Sequence, residues 1–198
     1  GSVTNSNITV NGGAISRLCG GGYFATVTNS NVIIDKTTEA TTNISNLYGG
    51  MYADGSSNLT MNTSSVIVKN GRVGNLYGGG HRALHKDTNV TIVNGTVKYL
   101  YGGSYKEKMI SNPNINVNVL GGNITQIVGG SRIDVNNNNH VLENPQININ
   151  IGKDIVKTSL GDTNHKKYLM TTLELEEDAV DSLPTAEVNI SNIYATTS

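Results

Sequence analysis

Isoleucine and valine alternate with polar residues in short runs along this chain. Examples are Ile8 and Val10, Val66 and Val68, Val90 and Ile92, Val117 and Val119, and the run Ile147-Asn148-Ile149-Asn150-Ile151. Alternation of period two predicts a strand with one face turned inward. Each of the first four runs is followed by a glycine-bearing dipeptide: Gly12-Gly13, Asn70-Gly71, Asn94-Gly95 or Gly121-Gly122. Such dipeptides supply the positive φ that a sharp corner requires. Two apolar positions three residues apart come next: Ile15 and Leu18, Ile44 and Leu47, Val73 and Leu76, Val97 and Leu100, Ile124 and Ile127. That interval predicts a bend between them, with both side chains in the core. The residue after the second position (Cys19, Tyr48, Tyr77, Tyr101, Val128) is then expected to face outward, and a glycine pair closes the unit.

The unit repeats whole. The first glycines of the closing pairs, Gly20, Gly49, Gly78, Gly102 and Gly129, lie 29, 29, 24 and 27 residues apart. This is the period of one coil in a β-solenoid. The Asn-Gly corners would also suit β-hairpins, but stacking like on like buries every Ile and Val slot at once. The expected fold is therefore all-β, a parallel β-helix of about five to seven coils. Residues 1–165 are assigned to coils, 166–185 to an insertion or lateral cap, and 186–198 to the start of a further coil.

Several segments depart from the pattern. Val32-Ile33-Ile34 sits five residues early, which predicts a bulged loop from Lys36 to Thr42. Leu59 and Met61 add an apolar pair that reads as a third strand side. Asn136–Asn139 reads as an exposed loop, and Gly161 as a degenerate counterpart of the closing glycines. Between Lys166 and Pro184, leucines alternate with Glu174, Glu176, Glu177, Asp178 and Asp181, the pattern of a strand and a short helix. Ile190-Ser191-Asn192-Ile193-Tyr194 then restates the motif without its glycines, as expected of a fragment of a longer protein. Gly1-Ser2 reads as an added dipeptide, leaving room for a leader or anchor cut away before it.

Composition narrows the functional classes. The chain has 198 residues, net charge −1, 23 Gly, 28 Asn, no Trp and a single Cys. Asn, Gly, Ser and Thr with scattered Val and Ile fit short strands and tight turns. The near-zero net charge gives no electrostatic case for nucleic acid or an anionic membrane. No apolar run approaches a membrane span, so no membrane insertion is expected. One cysteine rules out an internal disulfide or a multi-cysteine zinc site.

Two columns of planar side chains stand out. One is the outward slot, with Tyr48, Tyr77 and Tyr101 on successive coils and Tyr194 extending the row. The other lies three residues after the closing glycine and holds Tyr23, Tyr52, His81, Tyr105 and Arg132. Seven of the nine tyrosines fall in these columns. At the ~4.8 Å spacing of stacked strands they would form a strip of amphipathic groups on which a sugar chain could stack and hydrogen-bond. A purely structural tyrosine ladder explains the same columns.

Other constellations carry less. His81 and His85 have a metal-binding interval only on a helix, and here they follow a glycine pair in a loop. The acidic cluster lacks the cadence of a calcium loop. Asp35, Glu39, Asp54, Asp87, Glu107 and Asp134 share no slot, so no acid pair for glycan cleavage is evident. Gly20-Gly21-Gly22 and Gly78-Gly79-Gly80 lack the Lys and the strand-to-helix setting of a phosphate loop. The sequons at Asn43, Asn58, Asn89 and Asn189 follow from composition, and Cys19 reads as a filler. No catalytic residue, metal or cofactor is assigned.

The cadence strand, Gly-Gly, apolar, Leu-Tyr-Gly-Gly resembles right-handed parallel β-helix repeats in cell-surface proteins and adhesins of anaerobic gut-type bacteria. The resemblance covers roughly residues 3–165 and 186–198. It implies export, a secreted or cell-wall location, further domains in the same chain, and contact with glycans or a host surface protein. It transfers no catalytic residue, and the carboxylate clusters of the β-helix pectate lyases have no counterpart. A non-catalytic binding or display module is the leading expectation. A polysaccharide-degrading enzyme and a passive stalk follow, with ice binding more remote because flat threonine rows are out of register.

Overall fold

The computed structural model describes residues 1–35, 42–53, 59–106, 113–132, 145–152 and 188–195. The expected bulge from Lys36, the Asn136–Asn139 loop, Gly161 and the Lys166–Pro184 segment with its acidic cluster lie outside these residues.

All described elements are strands, and they form two parallel sheets. The first sheet stacks β1 (Ser2–Val10), β3 (Thr26–Ile34), β5 (Thr60–Val68), β7 (Leu84–Ile92), β9 (Asn114–Val119) and β11 (Gln146–Ile151). The second stacks β2 (Gly13–Cys19), β4 (Thr42–Tyr48), β6 (Arg72–Tyr77), β8 (Thr96–Tyr101), β10 (Gly122–Val128) and β12 (Val188–Tyr194). Every pairing is parallel. This excludes hairpins at the Asn-Gly corners and makes the chain a parallel β-solenoid. A third, narrow side consists of single bridges from Tyr23 to Tyr52, His81, Tyr105 and Arg132. Those five positions span about four turns, fewer than the five to seven coils expected.

The register follows the repeat. Ile8, Val32, Val66, Val90, Val117 and Ile149 share one column, so the early Val32 run is an ordinary rung. Ile15, Ile44, Val73, Val97, Ile124 and Ile190 share another, and Leu18, Leu47, Leu76, Leu100, Ile127 and Ile193 a third. The columns interlock as the principal core, fully buried in the central coils. Each such aliphatic side chain contributes about 1.5–3 kcal/mol by leaving water. The bend is visible in β4, where Ile44 and Leu47 are buried and Ser45 between them is exposed. Gly71 and Gly95 turn the corners at φ 124° and 104°, and Gly152 does so after β11.

The closing glycines obey a different constraint. A methyl on Gly49 would lie 2.2 Å from the Gly78 carbonyl oxygen, and one on Gly78 would lie 2.1 Å from that of Gly102. The coils pass too closely here for any Cβ. A row of buried hydroxyls supports the same carbonyls: Ser30 donates to Gly49 O at 2.5 Å, Ser64 to Gly78 O at 2.6 Å and Thr88 to Gly102 O at 2.6 Å.

Asparagine also departs from expectation, since many Asn residues lie within strands rather than turns. Their side chains form ladders, with Asn75 donating to Asn46, Asn116 to Asn89, Asn148 to Asn116 and Asn150 to Asn118 at 2.9–3.0 Å. In-register stacking lets each amide meet an identical neighbour one coil away. Met61 likewise belongs to β5 rather than to a separate side, and packs with Val27, Met51, Ala53 and Ala83 in a second small core.

Candidate functional site

The tyrosine columns do not share the accessibility their slots predict. Tyr48, Tyr77 and Tyr101 leave the principal core on the far side of β4, β6 and β8, yet they are only 5%, 2% and 8% exposed. The expectation that this slot meets solvent is overturned. The cause is the second column: three residues beyond each closing glycine the chain brings Tyr52, His81 and Tyr105 back over the first row. Tyr48 meets Tyr52 edge-on at 6.0 Å and His81 at 5.5 Å, and Tyr77 meets Tyr105 at 5.0 Å between ring centroids. The inner row stacks on itself at 5.0 Å, with interplanar angles of 8° and 10°.

Burial shapes the chemistry of the inner row. It pushes the Tyr77 phenol up to about 12, against the opposing hydrogen bond and charge of Arg132. The Tyr48 phenol rises further, through burial and then the neighbouring Tyr77 and Tyr105 rings. These phenols stay protonated at neutral pH, and Arg132 Nη1 donates to Tyr77 Oη at 3.1 Å. The inner row is thus a packed aromatic core with a polar handle, not a contact surface.

The outer row is what a partner would meet. Tyr23 is 65% exposed and the adjacent Phe24 45%. The two rings lie edge to face at 4.6 Å. Tyr23 also stacks on Tyr52 at 5.3 Å, and Tyr52 on His81 at 4.1 Å. His81 and Tyr105 follow at 5.1 Å with a 47° tilt. Inside this row ring faces are covered by the rings of adjacent coils.

Cations lie along the same row. The Arg17 guanidinium sits 4.5 Å from the Tyr52 ring centre, Lys106 Nζ 5.4 Å from that of Tyr105, and Arg132 5.4 Å and 5.8 Å from those of Tyr105 and Tyr101. His81 has its pKa lowered, first by burial and then by the charges of Arg82, Arg17 and Lys106, against a hydrogen bond to Ala53 O. Phe24, Arg82 and Lys106 each follow a third-side residue and adopt φ of 52°, 51° and 57°. Left-handed backbone costs a non-glycine residue about 1–2 kcal/mol, and here it recurs on three coils. In each case the strained residue donates its N–H to the next coil, to Tyr52 O, Tyr105 O or Arg132 O.

His81 and His85 do not converge. His81 stacks in the outer row, while His85 in β7 points inward and is fully buried. Its Nδ1–H donates to Ala83 O at 2.8 Å, and its Nε2 accepts from Met51 N–H at 3.4 Å. Burial lowers its pKa to about 4, so the ring is neutral at pH 7. A methyl on Gly50 or Gly80 would overlap this imidazole, which explains two further glycines of the repeat. No group of three His, Cys, Asp or Glu suited to a metal occurs among the described residues.

The remaining candidates are accounted for individually. Burial raises the Cys19 thiol to about 11 despite Arg17, so it is not a thiolate nucleophile. Asp35 pairs with Lys69 at 3.0 Å, and Asp87 accepts from Asn114 N–H and Nδ2 at 3.0 Å and 3.1 Å. Glu39, Asp54, Glu107 and Asp134 lie outside the described residues. The sequence reading passed over Phe24, Arg17, Arg82 and Lys106. The signal available was the position after each third-side residue, where Phe24, Arg82 and Lys106 recur. Arg17 had none, because its side chain reaches Tyr52 from the coil before. No protein-family model, curated protein or solved structure matches this sequence.

Proposed function

We propose that this solenoid is a non-catalytic binding and display module of an exported bacterial surface protein, contacting glycans along its third side. The observation that carries the reading is the exposure of Tyr23 and Phe24 at the start of the outer row. Two adjacent exposed aromatic rings have no packing role comparable to that of the inner tyrosines. Aromatic rings with wet edges suit sugars, whose C–H faces pack on a ring while hydroxyls bond to the polar rim. Tyr52, His81 and Tyr105 continue the rim along the solenoid axis. Tyr48, Tyr77 and Tyr101 are support for this face and not part of it.

The test is a glycan array with the wild-type chain and with Tyr23→Ala/Phe24→Ala. The double variant is expected to lose binding with an unchanged melting temperature. Binding that survives the double replacement would remove Tyr23 and Phe24 from the contact face. A passive stalk is the second reading, favoured by the burial of the inner tyrosines, which makes that row structural. A blank array with a highly stable wild-type fold is its expected outcome.

A further inference from the structure

The charge pattern of the third side narrows the class of glycan. Arg17, Arg82, Lys106 and Arg132 come from four different coils and accompany the Tyr23-to-Arg132 row along the axis. At the ~4.8 Å separation of stacked strands, the four intervals of that row extend about 19 Å. The carboxylates among the described residues are Asp35 and Asp87. Both belong to the first sheet or its end, and both are held by other partners. Three cations act together on His81, and no carboxylate among the described residues acts with them.

Two of these cations are held ready for an anion. Arg17 lies over the Tyr52 ring, and Arg132 lies over Tyr101 and Tyr105 while one of its N–H groups reaches Tyr77 Oη. A guanidinium packed on an aromatic ring keeps its remaining N–H donors at the rim, where they match a carboxylate or sulfate in a bidentate pair. Fixing the side chain beforehand removes part of the ordering cost of binding. Lys106 and Arg82 stand on the left-handed residues, in the positions that carry local backbone strain.

We infer that the ligand of this face is a linear acidic polysaccharide, held by Arg17 and Arg132 through its carboxylate or sulfate groups. The inference rests on the glycan-binding reading above. A sugar polymer is favoured over single-stranded nucleic acid because base stacking needs a series of open ring faces, and in this row the rings cover one another.

The experiment compares polygalacturonate with its methyl ester, which keeps the sugar backbone and removes the charge. Poly-glutamate and an oligo-deoxythymidine serve as non-sugar polyanions. The expected result is binding to polygalacturonate that weakens about tenfold or more on esterification, and about tenfold in Arg17→Gln or Arg132→Gln. Arg132→Lys should retain more binding than Arg132→Gln, and added salt should weaken the complex. Equal binding of acid and ester would overturn the charge inference while leaving the glycan reading intact. Binding of poly-glutamate or the oligonucleotide as tight as that of polygalacturonate would overturn both. So would a failure to bind any glycan, neutral or acidic.

Discussion

Acid should unfold this solenoid through His85. The side chain is fully buried, its Nδ1–H is tied to Ala83 O, and its pKa falls from the ordinary 6.5 to about 4. A folded-state pKa below the unfolded value means that the unfolded chain binds the extra proton first. The stabilisation is therefore fully present above pH 6.5 and is lost as pH falls from 6.5 to about 4. At roughly 1.4 kcal/mol per pH unit, that window removes about 3 kcal/mol, a large share of a typical domain's stability. The assay is urea unfolding across this range for the wild type and His85→Met. Methionine suits the site because His85 is in register with Met61 of β5. The variant leaves Ala83 O and Met51 N–H without their partner, so it starts less stable at neutral pH. Its pH dependence should nevertheless be flatter, with the difference between the two proteins shrinking by about 3 kcal/mol between about pH 7 and pH 4. Parallel curves would refute the assignment of the acid sensitivity to this imidazole.

The closing glycines and the inner phenols give two further predictions. Gly78→Ala places a methyl 2.1 Å from the Gly102 carbonyl oxygen and should cost about 3 kcal/mol or more in denaturant unfolding. Gly71→Ala meets its nearest neighbour only at 3.2 Å and bears mainly the backbone cost of its φ of 124°, about 1–2 kcal/mol; the reverse order would contradict the steric account. In an alkaline titration followed by phenolate absorbance, Tyr77→Phe and wild type should coincide up to about pH 11 and separate above it, since burial holds this phenol up at about 12. Separation at lower pH would mean that Tyr77 reaches water.

The architecture was legible because a solenoid writes one cross-section repeatedly. The Ile/Val columns, the bend between Ile44 and Leu47, and the corners at Gly71 and Gly95 follow from periods that a single strand already displays. Accessibility was not legible in the same way. Alternation states on which side of a strand Tyr77 stands, but not whether Tyr105, a whole coil later, folds back over it. His85 presents the same difficulty in reverse. After a glycine triplet it reads as a loop residue, whereas the chain has already entered β7 and turned the ring inward against Gly50 and Gly80. The asparagine ladders were hidden because Asn in isolation signals turns, and only in-register stacking makes Asn46 and Asn75 partners. Arg17 reaches Tyr52 across coils, and no local spacing encodes that contact.

Tyrosine labelling with and without polygalacturonate tests most directly the separation into a buried inner row and a ligand-bearing outer row. Iodination mapped by peptide mass spectrometry reports each ring separately. The account predicts rapid modification of Tyr23, slow modification of Tyr77, and protection of Tyr23 when polygalacturonate is saturating. Modification of Tyr77 as fast as Tyr23, or an unprotected Tyr23 in the saturated complex, would contradict it.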